Sequence, residues 1–294
     1  MTTAVIDNKV KQVISNIRNL PTPPIVFHQI QKVIHDPRVS AGQIAKILQE
    51  DPAMSVKVLK LTNSAFYGLQ REVESVKQAV VIVGLEAIKN LVLAASVLDM
   101  FKGKDVDQEF QEKFWRHSLA VGFGARLLAR MGKVRGMLDP ETAFSGGLLH
   151  DIGKVIMCCF LPREHTQVKQ ARLADREKPT HEIEDQVLGY NHAQIGAILA
   201  EQWKLPHRLF DAVAHHHQPA ASQSGEPIPY VIHVANYVAK RTFYDRDEQF
   251  LVGHLELGSL EMLEIKDSDL DNLAESLRQE YLKAETFMQM VGIS

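Results

Sequence analysis

Gly147-Leu148-Leu149-His150-Asp151-Ile152-Gly153-Lys154 sets an imidazole and a carboxylate side by side in an otherwise apolar stretch. Aspartate is almost never fully buried unless it is paired or bound to a metal. The surrounding chain supplies further histidines at helical positions: His117 before the octapeptide, and His192, His216 and His217 after it. Nitrogen and oxygen ligands converging from several helices suit a borderline or hard transition metal.

Working outward, the flanking segments read as helices. On the N-terminal side, Pro21, Pro23 and Pro24 stop a first helix, and Ile25, Ile30, Val33 and Ile34 space like one buried helical face. Ser40 with Gln43 forms a capping box, Asp51-Pro52 opens the next helix with proline at its first position, and Ser75 with Gln78 caps another. A long apolar helix is predicted over 85–100. Beyond the polar stretch Lys102-Gly103-Lys104-Asp105, helices are predicted over 110–131, 140–160, 164–176, 183–203, 206–217 and 227–243. No run of alternating strands and no fixed repeat is visible. The predicted class is all-α: a multi-helical bundle over 106–245, preceded by a helical subdomain over 1–105. The region 246–294 carries an amphipathic C-terminal helix. Leu270, Leu273, Leu277, Tyr281, Ala284, Met288 and Val291 recur along that tail at threes and fours. That stripe packs back on its own domain or, as the sharper alternative, forms the seam of a homodimer.

Composition narrows the functions. The 294 residues carry a formal net charge of −3, which marks neither a general nucleic-acid binder nor a membrane-surface binder. Residues 40–63 superficially resemble a helix-turn-helix, but Lys46, Lys57 and Lys60 stand against Glu50 and Asp51, far short of a basic face. No apolar stretch reaches the length of a membrane span, and residues 1–19 lack the apolar run of a signal peptide. The two cysteines, Cys158 and Cys159, are adjacent and read as small apolar residues in a reducing compartment. A cytoplasmic protein is expected. Gly147 to Gly153 is not a phosphate loop: five residues separate the glycines, and Val155 follows Lys154 where serine or threonine is needed.

On a helix, His117 shares its face with Val121, Gly124 and Leu128, and His192 with Ile195, Gly196 and Leu199. Both point inward. Taken singly, each histidine reads as a hydrogen-bonded core residue; taken together with His150-Asp151, they read as a shared metal site, with a neutral polar cluster as the alternative. His181 and His207 read as surface residues. Of His215, His216 and His217, three neighbours on a helix cannot all face one site.

The pattern resembles the HD superfamily of metal-dependent phosphohydrolases. His117, in Trp115-Arg116-His117-Ser118-Leu119, matches that family's first histidine; His150 and Asp151 match its His-Asp pair. His192, His216 and His217 resemble the extra ligands of the dinuclear HD-GYP branch. The final aspartate of the family falls in Val234-Ala235-Asn236-Tyr237, where this chain has Asn236. An amide is a weaker ligand than a carboxylate and cannot act as a base. The Gly-Tyr-Pro signature is replaced by Gln218-Pro219-Ala220-Ala221.

A fuller resemblance is to the HDOD family of bacterial signalling output domains. It rests on Leu20-Pro21-Thr22-Pro23-Pro24, Ile44-Ala45 through Asp51-Pro52-Ala53-Met54, Leu59-Lys60-Leu61-Thr62-Asn63-Ser64-Ala65-Phe66-Tyr67-Gly68, and Ala79-Val80 through Val83-Gly84. It runs from about residue 15 to 220. The resemblance implies a stand-alone signal-transduction protein that works through contacts with signalling partners and retains part of a metal site. The implied metal ligands are His117, His150, Asp151, His192, His216, His217 and Asn236. They would hold one or two divalent ions, iron or manganese ahead of zinc or nickel, or none if the cluster is a remnant. The rival reading is a working phosphohydrolase with Asp151 and Lys154 as catalytic residues, Lys154 steadying the phosphate of a nucleotide or phosphate ligand.

Overall fold

The computed structural model describes residues 8–17, 20, 22–34, 36, 38–63, 67, 69, 71–101, 104, 106–243 and 253–282. Pro21, most of the 64–68 segment, the boundary residues Lys102, Gly103 and Asp105, and the tail positions Ala284, Met288 and Val291 lie outside these. Among the described residues every regular element is helical. The all-α class holds.

Six helices precede residue 102: α1 (Asn8–Ser15), α2 (Ile25–Val33), α3 (Ala41–Gln49), α4 (Pro52–Thr62), α5 (Val76–Val83) and α6 (Leu85–Met100). Ten follow: α7 (Gln108–Leu128), α8 (Pro140–Leu149), α9 (Ile152–Phe160), α10 (Pro162–Ala174), α11 (Thr180–Leu188), α12 (His192–Gln202), α13 (His207–His215), α14 (Ile228–Phe243), α15 (Leu257–Leu263) and α16 (Asp267–Tyr281). They fall into two compact units. One holds α2–α6; the other holds α1 and α7 onward, as far as Arg278 in α16. The second of these units resumes at Lys104, and α1 belongs with the later helices. Val10 and Ile14 bury its apolar face, α1 packs on α12, and Lys9 Nζ donates to the Leu188 carbonyl at 2.7 Å.

In the first unit the predicted caps form. Ser40 and Gln43 make the reciprocal box at α3, Asp51 accepts from Met54 N with Pro52 at the first position of α4, and Ser75 accepts from Gln78 N. The core holds Phe27, Ile30, Ile44, Leu48, Val58, Ile88 and Val92. Each contributes about 1.5–3 kcal/mol through burial. Of the expected face, Ile30 and Ile34 are buried, Val33 is half-buried and Ile25 is not buried at all. Ile25 is 77% exposed, because it opens α2 directly after Pro24; the buried stripe starts with Val26 and Phe27 and runs to Ile30 and Ile34. The helix-turn-helix likeness also dissolves, since α3 and α4 turn Ile44, Leu48, Met54 and Val58 into the core.

In the second unit α7 and α8 form the central pair, and α14 packs on both. Gly147 on α8 meets α7 so closely that a Cβ there would lie 2.6 Å from the Gly122 Cα. Two predicted helices are each broken in two. The expected 140–160 helix stops at Leu149 and restarts at Ile152, with Asp151 at φ −95° and ψ 13° between them. The expected 183–203 helix ends at Gly189, in the left-handed conformation at φ 76°, and restarts through an Asn191–Gln194 capping box. Both breaks escaped the periodicity because apolar residues continue across them. Pro140–Phe160 is nonetheless long and apolar enough by composition to cross a membrane, with mean hydropathy 1.2; 78% of that window is buried inside the protein. In the tail, Leu270, Leu273 and Leu277 are buried, so the described part of that stripe packs within the chain.

Candidate metal centre

The break between α8 and α9 makes the site. It aims His150 and Asp151 into the centre of the second unit, where both are almost completely buried. The α9–α12 contact brings in His192: a Cβ on Gly153 would collide with the His192 carbonyl, so only glycine permits this approach. α7 contributes His117, and the end of α13 contributes His216 and His217.

Around Asp151 the ligand atoms form two groups. Oδ2 faces His117 Nε2 at 3.6 Å and His150 Nε2 at 3.4 Å; Oδ1 faces His192 Nε2 at 3.0 Å and His216 Nε2 at 3.6 Å. Separations of 3.4–3.6 Å exceed a well-formed hydrogen bond. They approach the spacing of two ligands that share one ion, about 3.0–3.4 Å for bonds near 2.1 Å. His117, His150 and Asp151 could hold one ion, and His192, His216 and His217 another. His150 Nε2 and His216 Nε2 are buried with no hydrogen-bond partner among the described residues. The donor set therefore fits a divalent metal.

The ring orientations support the same chemistry. His150 Nδ1 is 2.7 Å from the Gly147 carbonyl and His216 Nδ1 is 2.8 Å from the Val213 carbonyl. An N–H donated there leaves the lone pair on Nε2, facing Asp151. His192 Nδ1 lies 2.6 Å from Glu184 Oε2, which also accepts the His192 backbone N–H at 2.8 Å. Burial holds His117, His216 and His217 well below the usual histidine range, which keeps them neutral as ligands must be. Burial works to lower His192 too, but the Glu184 carboxylate outweighs it and its pKa is raised. Burial tends to raise Asp151; His150 and Lys154 overcome it and hold the carboxyl well below its usual range. Lys154 Nζ contacts Asp151 Oδ2 at 2.6 Å.

Asn236 lies on α14, buried, with Oδ1 lacking a hydrogen-bond partner among the described residues. With His217 and Lys240 it lines a cavity of about 240 Å³. A larger cavity, about 330 Å³, opens over the histidine cluster and is lined by His117, Asp151, Lys154, His192 and His217. Lys240 lines both. Burial, ahead of the repulsion of Lys154, pushes its ammonium down to about 8. Arg116, the neighbour of His117, pairs with Glu112, to which its Nε donates at 2.8 Å.

Sequence reasoning missed several residues here. His181 is half-buried rather than a surface residue; its ring stacks on His217 at 3.8 Å and lines both cavities. His207, by contrast, is exposed as expected. His215 is buried but faces Asp211 at 3.8 Å, away from the cluster. Glu184 gave no signal, since its partner His192 is eight residues away across the unseen break. Lys240 stands one helical turn after Asn236, a spacing that could have found it.

A model of the HDOD domain family matches residues 20–219. The chain belongs to the HDOD domain family. A Treponema pallidum (strain Nichols) protein of uncharacterised function is 27% identical over 221 residues, covering 75% of this HDOD chain; the chain spans 42% of that relative's length. Solved structures share the fold. An HDOD domain protein of unknown function from Geobacter sulfurreducens matches with a TM-score of 0.71 at 23% identity, covering 96% of this chain and 94% of the other. A proposed phosphohydrolase from Shewanella amazonensis SB2B gives 0.73 at 24% identity, covering 95% and 98%. A proposed signal transduction protein from Marinobacter aquaeolei VT8 gives 0.76 at 20%, covering 99% and 67%.

Proposed function

We propose that this HDOD protein is a cytoplasmic regulator: its histidine pocket binds a divalent metal, and it passes its signal on through contacts with other signalling proteins. The observation that carries this reading is Asn236. The six other ligand candidates surround Asp151 or one another, while the position that the HD resemblance assigns to a carboxylate holds a neutral amide. A metal there would polarise a bound phosphoryl group or water. His117, His150, His192, His216 and His217 would hold it, and Asp151 would lie between the two groups. Lys154 keeps Asp151 ionised. Asn236 can orient a ligand by hydrogen bonding but cannot take up a proton. Apolar residues left exposed in the first unit, Val81 at 68% and Ile82 at 47% on α5, supply surface for a protein partner.

The test is turnover. Metal-loaded protein is offered cyclic dinucleotides and phosphomonoesters, with His150→Ala as control. No turnover is expected. Hydrolysis abolished by His150→Ala would overturn the regulatory reading and favour the phosphohydrolase. Asn236→Asp then separates a decayed enzyme from a binding site: a decayed enzyme gains activity by orders of magnitude.

A further inference from the structure

We propose that His207 and Asp211, one turn apart on α13, form a second metal site that takes a zinc-class divalent ion from solvent, apart from the histidine cluster. The proposal does not depend on whether the cluster around Asp151 holds a metal.

The spacing places the ligands. His207, Asp211 and His215 recur every four residues, so they run along one face of α13. The His207 side chain is 55% exposed, whereas Asp211 and His215 are buried. An ion therefore meets the first ligand from solvent and finds the second already out of water.

Asp211 is the anomaly. A carboxylate taken out of water is costly unless it is paired, hydrogen-bonded or bound to a metal. Among the described residues it forms no ion pair with lysine or arginine; its charged contacts are His207 and His215. His207 Nδ1 stands 3.2 Å from Asp211 Oδ2, yet that buried oxygen accepts no hydrogen bond among the described residues. The two atoms are close without pointing at each other. Their separation lies within the span of about 3.0–3.4 Å for two ligands that share one ion through bonds near 2.1 Å. His215 Nε2 lies 3.8 Å from Oδ1, too far for a hydrogen bond, and does not satisfy the carboxylate either.

Imidazole with carboxylate is a donor set that suits zinc. The start of a helix carries about half a positive charge, which opposes a cation at His207, but the full charge of Asp211 outweighs it. Two protein ligands leave the other positions of the ion to water. The ion would clamp the first turn of the helix whose end carries His216 and His217.

The experiment is calorimetric titration of the EDTA-stripped full chain with zinc chloride. The parent should take up about one equivalent more than His207→Gln, an exposed substitution that leaves circular dichroism unchanged. Asp211→Asn should weaken that equivalent about tenfold or more. His28→Gln, which removes an imidazole from the other unit, should bind as the parent does. In nitrogen-15 histidine spectra, zinc should shift the His207 Nδ1 signal. A folded His207→Gln variant with parental stoichiometry overturns the proposal. Loss of the same equivalent in His28→Gln also overturns it, because the binding would then be scattered over surface imidazoles. Should Asp211→Asn fail to fold, His207→Gln decides alone. The His150→Ala, Asp151→Ala double variant separates the two sites: zinc should still shift the His207 signal there, and a shift lost in the folded double variant overturns an independent site.

Discussion

Glu184→Gln isolates the effect of one charge on the metal site. Glu184 is buried, and its Oε2 accepts both the backbone N–H of His192 at 2.8 Å and Nδ1 at 2.6 Å. The substitution keeps the volume and one acceptor oxygen. It removes the charge that steadies the His192 ring and brings amide hydrogens into a dry site. Charge-assisted hydrogen bonds exceed neutral ones by about 1–2 kcal/mol, so the metal-free variant should lose about that much stability. Losing a carboxylate behind a ligating histidine weakens metal binding about 10–100-fold, or roughly 1.4–2.7 kcal/mol. The metal-bound variant should therefore lose about 2–5 kcal/mol in all. The assay pairs manganese titration of EDTA-stripped protein with urea unfolding in the presence and absence of the ion. A folded variant with parental manganese affinity would refute the reasoning, because Glu184 would then be a structural partner of His192 and nothing more.

Gly153→Ala pushes a methyl group into the His192 backbone, which cannot yield as a side chain would. A loss of about 2–3 kcal/mol, or roughly 5–10 °C in Tm, is expected by calorimetry. A Tm within a degree of the parent would mean that α9 and α12 do not lock as described. Ser40→Ala removes the α3 cap and should cost about 1 kcal/mol in urea unfolding, whereas Gln223→Ala, exposed in a surface loop, should cost nearly nothing. If the two cost the same, the cap contributes no stability.

Much of the fold is legible because its rules are local. Ser40 with Gln43, Asp51 before Pro52, and Ser75 with Gln78 each name a helix start without reference to anything distant. The inward histidines are legible for the same reason, since a helical face is fixed by spacing of three and four. What failed was continuity. Apolar residues run through His150-Asp151 and through Gly189-Tyr190-Asn191, so periodicity saw single helices where the chain turns. Asn191 with Gln194 repeats the signal read at Ser40, and its Gly189 partner could have been read with it. Ile25 was misplaced because a first-turn residue after proline need not follow the stripe of its helix. His181 and Glu184 were out of reach for another reason: what each does depends on helices that meet only once the two breaks have formed.

The most direct test of the central claim is elemental analysis of protein purified without an affinity-metal step, beside a His150→Ala, Asp151→Ala double variant. The account predicts about one or two equivalents of iron or manganese in the parent, lost in the variant. A parent protein that is folded and free of transition metal would contradict it, and would leave the cluster around Asp151 a hydrogen-bonded polar core.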